Sequence, residues 1–343
     1  MKLRSSLNLK IFFATAIIVS LGAYWRLAGS KQKEHGLKNH PAKQMAFWQQ
    51  NVALQLPLQH RFFETPDALI DLLRKDNINQ GWPNRPINAV VADSVKEQLA
   101  SAIAEIPDFV LHKASPLLVG IFFVKDLGGT AFSDYIFDEK GNPAGGFIVF
   151  DELILKKTAN EWATWKERSP YKNEPVNLHM LIEDAATDDM RHAFQFVFLH
   201  ELGHILSINA KMTPPWGESP STKLHPKTFT FSKLSWSIKD RRYTRLFGNE
   251  ILDQIQFYKG NSLANPTQAY AALEKSNFPT MYSTTGPEDD FADSFASYVH
   301  TVLMGKPYSV LILNEPGDVK KYESCWGSPR CAEKEQILFD FLK

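Results

Sequence analysis

The chain has 343 residues, of which 44% are hydrophobic and 22% are charged, an ordinary balance for a globular protein. Lysine plus arginine and aspartate plus glutamate both number 38, so the formal net charge is zero. A neutral chain gives no support to a polyanionic partner, and we expect no nucleic-acid binding. The length fits one large domain or two ordinary ones.

The first thirty residues have the pattern of an export signal. Lys2, Arg4 and Lys10 precede the uncharged stretch 11–25, which gives a basic region followed by an apolar one. The stretch is short for a membrane span, which takes about 20 apolar residues. We therefore expect residues 1–30 to be a signal peptide or a membrane anchor. The protein is then exported to the periplasm or another extracytoplasmic space, where the anchored form is tethered to the inner membrane.

Residues 31–115 form a spacer followed by a mainly helical region. A predicted helix begins at Thr65-Pro66-Asp67, where Thr65 caps the helix and Pro66 takes its first position, and it continues to residue 74. A second predicted helix begins at Asp93 and ends before Pro107. These helices carry no recognisable chemistry, so we interpret them as packing elements.

From residue 116 to 343 the pattern changes to strands followed by helices. Residues 117–124 (LLVGIFFV), 130–137 (TAFSDYIF) and 146–150 (GFIVF) are predicted strands. A long helix follows, starting near residue 187. This order predicts an α+β fold for the C-terminal domain.

The most informative stretch reads VFLHELGHIL, from residue 197 to 206. Residues four apart lie on one helix face, so His200 and His204 are placed to bind one zinc ion. Glu201 lies beside that face, where it can take the proton of a zinc-bound water. The alternative is that H-E-x-x-H arose by chance on an apolar helix with two histidines.

A third ligand must come from elsewhere in the chain. The extended form of the motif needs Gly and His at positions 207 and 210, which are Ser and Ala here. Residues 287–300 read PEDDFADSFASYVH, a predicted helix on which Asp289 binds the metal. Asp293, four residues further on, accepts a hydrogen bond from a ligand histidine. Glu288 and Asp290 are the alternative ligands, and an acidic helix start that favours the macrodipole is the alternative interpretation.

These two segments resemble the gluzincin metallopeptidases of the lethal-factor-like kind. In that family an H-E-x-x-H helix is followed by an acid-x-x-Ala-acid-x-Phe helix, and here Asp289, Ala292, Asp293 and Phe295 match the second pattern. The family's first acid is usually Glu, so Asp289 is a departure from the pattern. Its side chain is shorter and must therefore approach the metal more closely. The resemblance also places Tyr282, seven residues before Asp289, at the position of an oxyanion-stabilising tyrosine.

The resemblance implies a zincin-like domain in which a mixed sheet packs on the motif helix and an edge strand binds the substrate. We expect Gly145–Phe150 to be that edge strand. The implied activity is that of a zinc metallopeptidase acting on a peptide or protein. Zn²⁺ is its cofactor, Glu201 and Tyr282 are its catalytic residues, and His200, His204 and Asp289 are its ligands. The alternatives are an envelope zinc-site protein without activity and an amidase acting on cell-wall peptides.

The two cysteines, Cys325 and Cys331, have five residues between them. Export favours a disulfide, because oxidising compartments preserve it. The spacing does not fit a C-x-x-C redox or metal pair. We therefore predict a bond that shapes the C-terminal region.

Overall fold

The computed structural model describes residues 37–172, 177–216, 220–221, 223–315 and 318–343. The predicted export segment, residues 1–30, lies outside them. Within these ranges, no helix combines the length and the apolar character needed to cross a membrane.

Helices and strands are mixed along the described chain, so the α+β prediction is confirmed. The helices are α1 (Met45–Asn51), α2 (Asp67–Gln80), α3 (Asp93–Ala104), α4 (Asp108–Ala114), α5 (Ala159–Arg168), α6 (Met190–Ser207), α7 (Glu250–Asp253), α8 (Pro266–Leu273), α9 (Pro287–Tyr298) and α10 (Ala332–Leu342). The strands are β1 (Ile87–Asn88), β2 (Leu118–Lys125), β3 (Ala131–Phe137), β4 (Pro143–Asp151), β5 (Leu178–Leu181), β6 (Trp236–Lys239), β7 (Arg242–Arg245), β8 (Ser309–Glu315) and β9 (Asp318–Glu323).

The largest sheet is mixed and has the strand order β1-β2-β4-β3. Strands β2 and β4 are parallel, whereas β1 and β3 pair antiparallel with their neighbours. The prediction that Gly145–Phe150 is the edge strand is wrong, because this stretch belongs to β4, between β2 and β3. Its residues are buried on both faces, as expected for a central strand. The edge strand beside the motif helix is β3.

The sheet has a hydrophobic layer on each face. Leu118, Ile121 and Phe123 of β2 pack towards α6, while Val119, Phe122 and Val124 pack towards α2. The side chains alternate regularly from Ile121 onwards, after a register irregularity between Leu118 and Ile121. Helices α3 and α4 join the α6 layer, and residues of α1 and α2 cover the opposite face. The helical N-terminal region therefore packs on the same sheet as the motif helix.

The remaining elements surround α6 from the other side. Strands β5, β8 and β9 form an antiparallel sheet, and β6 and β7 form a hairpin. Helix α9 packs directly on α6, and a π-helical turn, Val299–Leu303, follows it. Cys325 and Cys331 are bonded, with their Cα atoms 5.7 Å apart, so the predicted disulfide is confirmed.

Two predicted helix starts shift by one or two residues. Thr65 does not cap α2, because its hydroxyl donates to the carbonyl of Phe123 in β2 and Pro66 occupies the cap position. The same helix runs beyond residue 74, to Gln80, where Gly81 in the left-handed conformation ends it. Helix α6 is capped by Asp189, whose carboxylate accepts from the Arg191 and His192 amides.

Candidate metal centre

Helix α6 is an almost entirely buried helix that carries three polar groups to one place. From His192 to Ser207 only His200 is more than marginally exposed. A helix surrounded by apolar neighbours leaves little water to solvate its polar side chains. His200, Glu201 and His204 therefore need partners within the protein or a bound ion.

Two glycines set how closely the neighbouring elements approach α6. A Cβ on Gly203 would lie 2.8 Å from Cα of Ala292, so α9 packs against α6 at backbone distance. A Cβ on Gly146 in β4 would lie 2.4 Å from Cδ1 of Ile205. Asp289 lies on α9, so this close approach brings its side chain towards the histidines of α6.

The predicted ligand atoms of His200, His204 and Asp289 all lie within 4.8 Å of one another. The two Nε2 atoms are 3.2 Å apart, and Oδ1 of Asp289 is 3.6 Å from Nε2 of His204. Two nitrogens bound to a tetrahedral zinc at 2.0–2.1 Å are separated by about 3.3 Å. Two imidazoles and a carboxylate at these separations fit a divalent metal ion such as zinc.

Asp293 orients the ring of His200. Its Oδ1 lies 3.1 Å from Nδ1 of His200, which leaves Nε2 facing His204. Thr280 donates its hydroxyl to Oδ2 of the same carboxylate. Burial would raise the pKa of Asp293, but the charge of Lys166 and the His200 hydrogen bond lower it to about 2. Burial likewise opposes protonation of His200, yet the Asp293 hydrogen bond and charge raise the pKa of this imidazole.

Glu201 lies against the edge strand. Its Oε2 accepts a hydrogen bond of 2.6 Å from the hydroxyl of Ser133, in the middle of β3. Burial raises the pKa of Glu201, and the charge of His200 and the Ser133 hydrogen bond oppose that rise. A carboxylate whose pKa is raised by burial is a better proton acceptor than one in water.

Tyr282 lies beside His200, with the two ring centroids 5.5 Å apart and the rings edge to face. It belongs to a short 3-10 turn that precedes α9. Burial, with the nearby Asp289 charge, raises the pKa of Tyr282 well above its ordinary value. The phenol therefore keeps its proton and is able to donate a hydrogen bond.

Neither alternative ligand belongs to the cluster of ligand atoms. Asp290 is fully buried and pairs with Lys334 at 2.6 Å and with the Trp236 indole at 3.0 Å, on the side of α9 away from the histidines. Glu288 is not part of the cluster of ligand atoms. His192, two turns before His200, hydrogen-bonds the carbonyl of Thr187 and packs in the core.

Sequence reasoning missed four residues that contact this centre. Ser133, Lys166 and Thr280 reach it from elements distant in the sequence. Trp216 packs edge-on against His204, with centroids 4.3 Å apart, and stacks on Tyr135 of β3. None belongs to a motif, and only their place in the fold reveals them.

No family model, no curated protein and no solved structure matches the chain. The fold and site define the chain as an α+β protein with a His-His-Asp cluster that is able to hold a metal ion.

Proposed function

We propose that the chain is a zinc-dependent metallopeptidase that hydrolyses peptide bonds in a peptide or protein substrate, built on a zincin-like fold. The observation that carries the proposal is the cluster of His200, His204 and Asp289, with Glu201 beside it on the same helix. Zinc held by these three side chains would polarise a carbonyl group and lower the pKa of water.

The chain's own residues have distinct roles in the proposed reaction. The carboxylate of Glu201, oriented by Ser133, accepts a proton from the attacking water and later gives it to the leaving amine. The protonated phenol of Tyr282 donates to the developing oxyanion. Asp293 accepts a hydrogen bond from the Nδ1–H group of His200 and so fixes the tautomer of this imidazole.

Strand β3 supports an extended substrate. Among the described strands it pairs only with β4, and its outer edge carries a single bridge, from Gln44 to Phe137 at its end. Ser133 lies in its middle and contacts Glu201. A peptide added along the free part of this edge would pass the candidate catalytic base.

We propose an extracytoplasmic location for this activity, with the first thirty residues as signal peptide or anchor. The bond between Cys325 and Cys331 supports it, because disulfides persist in oxidising compartments.

The first test is Glu201→Gln, assayed on a peptide library and on casein. We expect kcat/KM to fall by about 10²–10⁴ because the base is lost, while the bound zinc measured by mass spectrometry stays at the parent's level. A variant that cleaves at the parent's rate shows that Glu201 is not the base. Assaying cell-wall fragments in parallel separates a peptidase from an amidase, and a zinc-loaded parent without activity favours a binding protein.

The second test concerns the third ligand. Asp289→Ala should lower zinc affinity by at least about tenfold, since a coordinating carboxylate is removed, whereas the neighbouring Glu288→Ala should leave it unchanged. Competition with a chromophoric chelator measures both. Equal affinities in the two variants, or a larger loss in Glu288→Ala, would reject Asp289 as a ligand.

A further inference from the structure

A buried lysine lies directly behind the candidate metal centre. Lys166, near the end of α5, is only 5% exposed. Its Nζ is 4.0 Å from Oδ1 of Asp293 and 3.5 Å from Oε1 of Glu167. A lysine this deeply buried is rare and requires compensating charge, which the two carboxylates provide.

The same ammonium group also faces Tyr282. Nζ lies 4.7 Å from the centroid of the tyrosine ring, within the range of a cation–π contact. The same ring contacts His200 edge to face. The side chains linked by these contacts are Lys166, Asp293, His200 and Tyr282. Lys166 thus contacts both residues that flank His200 without touching His200's metal-facing nitrogen.

The geometry of Asp293 explains why a cation at this distance matters. Oδ1 of Asp293 accepts a hydrogen bond from Nδ1 of His200 at 3.1 Å, and the ammonium group of Lys166 faces the same oxygen at 4.0 Å. Thr280 donates to the other oxygen. The lysine compensates the negative charge without replacing His200 as the partner, because 4.0 Å is beyond a hydrogen bond.

Glu167, the second acid beside Lys166, has a hydrogen bond of its own. Its Oε2 accepts the hydroxyl of Tyr270 at 2.5 Å, and burial raises the pKa of this carboxyl despite the charge of Lys166. Neutralising Glu167 is therefore the simplest alternative role for Lys166. The two roles predict different behaviour when both side chains are made neutral.

We propose that Lys166 is a positioning residue of the metal centre, which holds Asp293 and Tyr282 in place around His200. The proposal rests on the proposed metal site but not on the identity of the substrate. A residue of this kind acts through the ligand's partner, and changes to such outer groups typically lower metal affinity or activity about 10–100-fold.

The test compares Lys166→Met, Glu167→Gln and the double variant with the parent, all as full chains. Zinc affinity is measured by competition with a chromophoric chelator, stability by thermal unfolding of the metal-free proteins, and kcat and KM on a peptide that the parent cleaves. Lys166→Met should bind zinc about 10–100-fold more weakly and lose kcat with KM unchanged. Glu167→Gln should match the parent in zinc affinity and in kcat.

The double variant decides between the two roles. Lys166→Met leaves the charge of Glu167 unpaired and should therefore be less stable than the parent. We expect the double variant to recover that stability, because it contains no unpaired Glu167 charge, while its zinc affinity stays as low as in Lys166→Met. Recovery of zinc affinity would overturn the proposal, since Lys166 would then only neutralise Glu167. Parent-like zinc affinity in Lys166→Met would overturn it as well. If Lys166→Met does not fold, the double variant carries the same comparison. A parent that binds no zinc instead contradicts the proposed function, and the two failures are thus distinct.

Discussion

Helix α9 carries two aspartates that each face a buried lysine, and the two pairs are built differently. Asp290 and Lys334 are in direct contact at 2.6 Å, and neither side chain is exposed. Asp293 and Lys166 are 4.0 Å apart, and Lys166 is shared with a second acid. The first pair is a direct ion pair. In the second pair, the carboxylate of Asp293 is hydrogen-bonded to His200 and not to its lysine.

The hydrogen bonds of the two carboxylates follow the same division. Asp290 accepts hydrogen bonds from the Trp236 indole and the Ser294 hydroxyl, neither of which belongs to the candidate centre. Asp293 accepts hydrogen bonds from the His200 ring and the Thr280 hydroxyl. Three residues along a helix turn the side chain by about 300°, so the two acids point to different neighbours. One face of α9 stabilises the fold and the other supports the candidate centre.

The largest stability effect that we expect comes from breaking the ion pair between Asp290 and Lys334. Lys334→Met leaves Asp290 buried without its cation and should lower the free energy of unfolding by about 3–5 kcal/mol. Chemical denaturation of the metal-free protein measures this loss. Adding Asp290→Asn should restore most of it, because replacing both charges removes the unpaired one.

Zinc affinity tests whether the two faces of α9 are independent. The folded fraction of Lys334→Met should bind zinc as the parent does, because Lys334 contacts no part of the centre. An affinity that falls as far as in Lys166→Met would mean that the two faces of α9 are not independent.

An intermediate effect should follow from separating α9 from α6. In Gly203→Ala the added methyl group meets Ala292 at 2.8 Å, and overpacking of this kind lowers stability by about 1–3 kcal/mol. It should also weaken zinc binding, because Asp289 moves away from the histidines. Gly248→Ala is the matched control, since a Cβ there meets nothing within 4 Å. Unchanged zinc affinity in Gly203→Ala would show that the helix spacing does not set the reach of Asp289.

The smallest effect that we expect concerns the hydroxyls on the two aspartates. Thr280→Val removes a donor to Asp293 and should lower stability by about 1 kcal/mol, with zinc binding weakened a few-fold. Ser294→Ala removes the 3.3 Å donor to Asp290, which keeps Lys334 and Trp236, so zinc binding should not change. Thermal unfolding and chelator competition measure both variants. The reverse order of zinc affinities would contradict the assignment of Asp293 to the centre.

Sequence patterns predicted the elements well where a period or a motif was present. The three strands before the motif helix, the helix itself and the acidic second helix all exist close to their predicted bounds. The prediction that Gly145–Phe150 is the edge strand is wrong because the order of strands along the chain differs from their order in the sheet. The continuous apolar run of 146–150 is typical of a central strand, whereas the alternating stretch 130–137 fits an edge.

That His200 and His204 share a helix face, with Glu201 beside it, follows from the sequence alone, because residues i and i+4 do so on any α-helix. The sequence also places Asp289 and Asp293 on one face of a second helix. Which face of α9 meets α6, that of Asp289 and Asp293 or that of Asp290, depends on how α9 is rotated in its packing against Gly203, so it follows from the tertiary structure and not from the local sequence. Ser133, Thr280 and Lys166 join the centre for the same reason, since each reaches it across the fold and no local pattern records such contacts.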